Sequence, residues 1–103
     1  MAHRVINFGN GSNGTSSVSL VEKKQGFNNI KSISIVNRHN TDSITVDLFL
    51  SEGVNVFYLL WRVVIPNGTT LFLNEEESKF DNDEYAMIFV CTETDHKADI
   101  IIR

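Results

Sequence analysis

The sequence has one cysteine and one proline, and its 9 lysines and arginines are outnumbered by 13 aspartates and glutamates. Each scarcity excludes something. A lone Cys91 cannot form an internal disulfide, and its apolar setting (MIFVC) reads as a buried, inert thiol, with no sign of an oxidising compartment. A net charge of −4, with no basic cluster beyond Lys23-Lys24, leaves no positive face for phosphates, so no nucleic-acid partner is expected. No apolar run approaches the ~18 residues of a membrane span, because residues 54–65 are interrupted by Asn55 and Arg62; no membrane partner is expected. The start MAHRVINFGN has no apolar core of a secretory signal. No segment keeps a helical period.

Chemistry-bearing patterns are equally scarce. There is no Gly-x-Ser-x-Gly elbow and no phosphate-cradling glycine loop. His3, His39 and His96 fall in loops or at a terminus without metal-ligand spacing. Glu75-Glu76-Glu77 and Asp81-Asn82-Asp83-Glu84 concentrate oxygen ligands but lack the glycine and spacing of a calcium loop, and read as a solvated acidic stretch. The chain is therefore expected to be non-enzymatic, with no catalytic, cofactor-binding or metal-binding residues.

What is present is a series of short apolar segments separated by turn residues. RVINF (residues 4–8) reads as a strand, followed by a small polar loop, NGSNGTSS. Residues 16–22 alternate Val18 and Leu20 against serines. Residues 30–36 place Ile33 and Ile35 inward and Ser32 and Ser34 outward. Residues 44–50 place Ile44, Val46, Leu48 and Leu50 on one face. Residues 85–91 are apolar on both faces, TETDHK forms a turn, and residues 98–102 close the set. About eight strands at this spacing predict one all-β domain over residues 1–103, an antiparallel β-sandwich or jelly roll. A last strand reaching almost to Arg103 leads to the expectation of a complete domain.

Residues 54–73, VNVFYLLWRVVIPNGTTLFL, form the centre of this reading. Pro66 ends the long apolar segment, and Asn67-Gly68 can take the positive φ values of a tight hairpin turn. Read as a regular strand, residues 54–65 place Phe57, Leu59, Trp61 and Val63 on one face and Tyr58, Leu60, Arg62 and Val64 on the other. A strand with one wet face should alternate; here both faces are apolar, so one should line the core and the other an interaction surface. Tyr58, Leu60, Arg62, Phe57 and Trp61 are thus the candidate interface residues, with Arg62 beside aromatics as at many protein contacts. Twelve extended residues would reach roughly 40 Å, which predicts a bulge, a bend or a protruding hairpin able to grip a neighbour by strand addition. Because residues 85–90 share the two-faced pattern, they are expected near residues 54–65. The two would form either the core pair or one sticky outer face.

The order KSISIVNRHNTDSITVDLFL, VFYLLWRVVIPNGTTLFL, FDNDEYAMIFV and ADIIIR resembles small virion structural proteins of tailed bacteriophages, in particular contractile-tailed phages of marine bacteria and cyanobacteria. The resemblance rests on Ile65, Pro66, Gly68, Thr70 and Leu71 after an aromatic-rich strand, then on Phe80, Asp81, Asn82 and Tyr85, and spans residues 30–103. It implies a β-sandwich assembled into a particle in the host cytoplasm, with other virion proteins (the major capsid protein, or tail or neck proteins) and further copies of itself as partners. A capsid decoration or accessory protein is the expected role. A neck, tail or baseplate component, and a glycan- or receptor-binding module using Trp61 or Tyr58, are the alternatives.

Overall fold

The computed structural model describes residues 4–8, 16–39, 41–91 and 98–103. His3, His96, the loop at 9–15 and the predicted 92–97 turn lie outside them. Among the described residues eight strands follow one another: β1 (Arg4–Phe8), β2 (Ser16–Val21), β3 (Ile33–Asn37), β4 (Ile44–Ser51), β5 (Val56–Ile65), β6 (Thr70–Leu73), β7 (Ala86–Cys91) and β8 (Ala98–Ile102). One short helix, α1 (Glu75–Ser78), sits between β6 and β7. The strands form two four-stranded sheets, ordered β1-β8-β3-β6 and β2-β7-β4-β5, with every pairing antiparallel. First pairs with last, second with seventh, third with sixth and fourth with fifth. This nested arrangement, split over two sheets, is the double-sheet jelly roll, so the all-β sandwich expected from strand spacing is what the chain forms.

The core follows from alternation. Ile33 and Ile35 of β3, Ile100 and Ile102 of β8, Val46 and Leu48 of β4, and Met87 and Phe89 of β7 are all fully buried between the sheets. In β7 and β8 every second residue is buried. Each side chain of this size contributes roughly 1.5–3 kcal/mol when fully buried. Ser34, predicted to face outward, sits on the outer face opposite Phe72 of β6 and is largely covered there.

The predicted 66–68 hairpin does not form. β5 and β6 lie in different sheets, and residues 66–69 are an arch between them. The Thr69 amide donates to the Pro66 carbonyl at 3.2 Å, and of the Asn-Gly pair only Gly68 takes positive φ (72°). That is the pattern of a type II turn, not of the mirror-image turns that close two-residue hairpins. The strand-to-strand hairpin is one connection earlier, where residues 52–55 join β4 to β5 and the Glu52 amide donates to the Asn55 carbonyl at 3.2 Å.

Two buried asparagines hold the connections, and neither was expected from its polar surroundings. Asn37 donates through Nδ2 to the carbonyls of Ile65 (2.9 Å) and Asp42 (3.0 Å) and accepts from the His39 amide at 2.8 Å. It therefore ties the β3–β4 crossing to the β5–β6 arch. Asn82 accepts through Oδ1 from the Gln25 and Phe27 amides, both at 2.9 Å, and donates to the carbonyls of Glu22 and Tyr85. Both side chains are fully buried and satisfied, as burial of an amide requires. The acidic stretch contains its own surprise. Asn74 and Glu77 form a reciprocal capping box that starts α1, a signal present in the N-x-x-E spacing. Lys31 bonds to Glu75 at 2.9 Å; this hydrogen bond and the attraction of the ammonium hold the Glu75 carboxyl below its ordinary value.

Candidate functional surface

β5 is an edge strand of its sheet, paired on one side with β4. Its register starts conventionally: Ile65 faces Ile44, Val64 faces Thr45 and Val63 faces Val46. Between Val46 and Leu48 the pairing then slips, so that Leu48 meets Leu60, and it slips again so that Phe49 meets Tyr58 and Leu50 meets Phe57. Each slip inserts one extra residue into β5. Because side chains alternate along a strand, each insertion reverses the faces of everything beyond it. Ile65, Val63, Leu60 and Phe57 thus pair with the core-facing residues of β4, Leu59 between the two slips also packs against the core, and neither parity set predicted from a regular strand survives.

The first bulge is held by Asp47 and Arg62. Arg62 has φ 53°, in the left-handed region, which costs a side-chain-bearing residue roughly 1–2 kcal/mol. Its backbone N–H donates to Asp47 Oδ1 at 2.6 Å. Asp47 lies on the face of β4 opposite Val46 and Leu48, and its carboxylate thus accepts from the backbone of the bulge.

The double reversal sorts the five candidate residues. Leu60 faces the core and packs against it. Phe57 lies on the core side at the rim, 50 % exposed, with its ring edge-on to Tyr85 at 5.9 Å. Tyr58, Trp61 and Arg62 come together on the outer face. The Tyr58 ring lies 5.3 Å from Phe49 and 6.3 Å from Trp61, and the Arg62 guanidinium stands 4.7 Å over the Trp61 ring.

This cluster continues into the sheet. Ser19, Ile88, Phe49 and Tyr58 form one cross-strand row on the outer face of β2, β7, β4 and β5. Residues 54–65 and 85–90, expected near each other, do not pair: β5 and β7 lie on either side of β4 in one sheet. Trp61 is 61 % exposed and Val64 58 %. Exposed Val54 and Val56 extend the apolar line along the edge to the β4–β5 turn.

The rest of the described surface offers less. Among the described residues no group of three or more histidine, cysteine or acidic side chains could hold a metal ion. His39 accepts the Thr41 and Asp42 amides on Nδ1. Asn82, in the acidic stretch, spends its side-chain oxygen on two amides. Among the described residues no helix is long and apolar enough to cross a membrane.

Fold and surface together define a small jelly roll with an aromatic outer face at one edge. No family model and no curated protein sequence matches the chain. Among solved structures, an Anabaena sensory rhodopsin transducer is similar to it at 9 % identity and TM-score 0.46, over 89 % of this chain and 81 % of that one.

Proposed function

We propose that the protein is a non-enzymatic structural component of a bacteriophage virion, a capsid decoration or accessory protein that adheres to neighbouring virion subunits. The observation that carries the reading is the outer face of the β2-β7-β4-β5 sheet, where Tyr58, Trp61 and Val64, beside half-buried Phe49, leave apolar and aromatic surface uncovered at an edge. Contiguous exposed apolar surface on a small domain marks an interaction site, and aromatic residues with arginine are enriched at protein contacts. The resemblance of residues 30–103 to virion proteins supplies the setting. The architecture adds weight by analogy only, since double-sheet jelly rolls serve in capsids as well as in lectins and cupins.

The adhesive mechanism is burial of this face. Removing apolar area from water contributes roughly 25 cal/mol per Å² before association costs are subtracted. Side chains, not strand addition, make the contact, because two bulges spoil β5 as a backbone template. A sugar-binding reading would also use Tyr58 and Trp61, but the Arg62 guanidinium already lies over one side of the Trp61 ring.

Purified particles test the proposal. The chain should be present at capsid copy number, and Tyr58→Ala combined with Arg62→Ala should lower its incorporation while the isolated protein stays folded. Presence in sixes or twelves would move it to the neck, tail or baseplate. Absence from particles would end the virion reading, and a glycan-array hit lost with Trp61→Ala would replace it.

A further inference from the structure

Arg62 differs from the other cations described in the chain. Lys31 and Arg38 each pair with a carboxylate of their own molecule, Glu75 and Asp99, at 2.9 Å. Lys23, Lys24 and Lys79 stand in polar connections, and Arg103 donates to the Ser34 hydroxyl at 3.4 Å. Arg62 stands on an apolar face, stacked on Trp61 beside Tyr58. Among the described residues no carboxylate forms an ion pair with its guanidinium. The nearby acid, Asp47, is directed to the Arg62 backbone N–H. The bulge that aims Arg62 outward is thus maintained by a dedicated carboxylate, while the planar donor fork is left free. A guanidinium resting over an indole has fewer positions open to it, so less freedom is lost when it closes on a planar anion.

We infer that this face takes a segment of a different protein, one that brings an aspartate or glutamate onto Arg62 between apolar side chains. This deepens the virion reading and rests on it. Charge complementarity sets the occupant: an apolar patch whose cation has no ion-pair partner among the described residues, on a chain that is net acidic, selects a carboxylate flanked by apolar groups. Among the described residues a second copy offers none: its exposed acids, from Glu22 and Asp42 to Asp81, Asp83 and Glu84, lie in polar connections between strands. Glu52, next to exposed Val54, is bonded by Asn55 Nδ2 at 2.8 Å.

The test places an amine at the site. Particles assembled with the Arg62→Lys variant are treated with a water-soluble carbodiimide, which joins an amine to a touching carboxylate as an amide and carries off the water as its urea. Mass spectrometry of the digest should find the introduced amine joined to an aspartate or glutamate of another virion protein. In parallel, Arg62→Glu should lower incorporation about tenfold or more, as reversal at a close interfacial charge pair does, and Arg62→Gln by less. A variant that enters particles but whose introduced amine joins nothing, or only Asp47 of its own molecule or an acid of another copy, overturns this inference and leaves the virion reading standing. Absence of the unsubstituted chain from particles overturns both.

Discussion

β5 and β7 look alike on paper and differ in the fold. Both are apolar on two faces, both flank β4, and both belong to the same sheet. β7 is an interior strand, and its residues alternate between fully buried and partly buried. Its outward Ile88 and Val90 are shielded by β2 and β4 on either side. β5 is the edge, bulged twice, and buries only Ile65 completely. The same composition therefore yields core architecture in one place and exposed surface in the other. Strand position decides, because an interior strand's outer side chains are half-covered by their neighbours before any partner arrives. Apolar content marks a binding surface only where the topology leaves an edge.

The contrast can be broken at several points. Phe89→Ala in β7 should be the most damaging, at about 3–5 kcal/mol by denaturant unfolding; a loss below ~1 kcal/mol would mean that β7 is not the packed strand. Asp47→Ala removes the acceptor that holds the bulge. It should cost about 1–2 kcal/mol, a charged hydrogen bond moderated by partial exposure, and alter the amide spectrum around Trp61 and Arg62. Arg62→Gly should be about 1 kcal/mol more stable than Arg62→Ala, because glycine adopts φ near 53° without the penalty alanine carries. Equal stabilities would remove the left-handed bulge from the account. Smallest of all, Trp61→Ala should shift the isolated protein by no more than about 0.5 kcal/mol, in keeping with a side chain 61 % exposed. A large loss would make Trp61 a structural residue and not a contact residue.

Much of the fold was legible in the residues. Alternation located β3 and β4 and their inward isoleucines, because one buried face imposes a period of two. The two-faced pattern shared by residues 54–65 and 85–90 put both in one sheet but not side by side, since β4 runs between them. The faces of β5 were not legible, because each slip in register is fixed by pairing with β4 and by the Asp47 bond to Arg62, a contact across strands that no local pattern encodes. Pro66-Asn67-Gly68 announced a turn but not whether it led within a sheet or across to the other. Asn37 and Asn82 read as loop residues because an isolated polar side chain gives no sign that surrounding backbone will close over it. The Asn74–Glu77 box, in contrast, was readable and outweighed by the acidity around it. As for the candidate surface, Tyr58, Trp61 and Arg62 do converge; Leu60 and Phe57 were grouped with them by a regular alternation that the bulges interrupt.

The nested pairing also sets a schedule for folding. β4 and β5 are the one pair among the described strands that are consecutive in sequence, joined by residues 52–55. Each further pairing, β3 with β6, β2 with β7 and β1 with β8, encloses a longer loop, and closure entropy rises with loop length. A chain dominated by such distant pairings belongs to the slower folders, in the range of milliseconds to seconds. The hairpin with the lowest closure cost carries the aromatic edge, so this exposed strand can form before the opposing sheet is complete. A newly made chain then displays Tyr58 and Trp61 while β1 still awaits β8, and the interval before the termini meet is when untimely self-association is most costly.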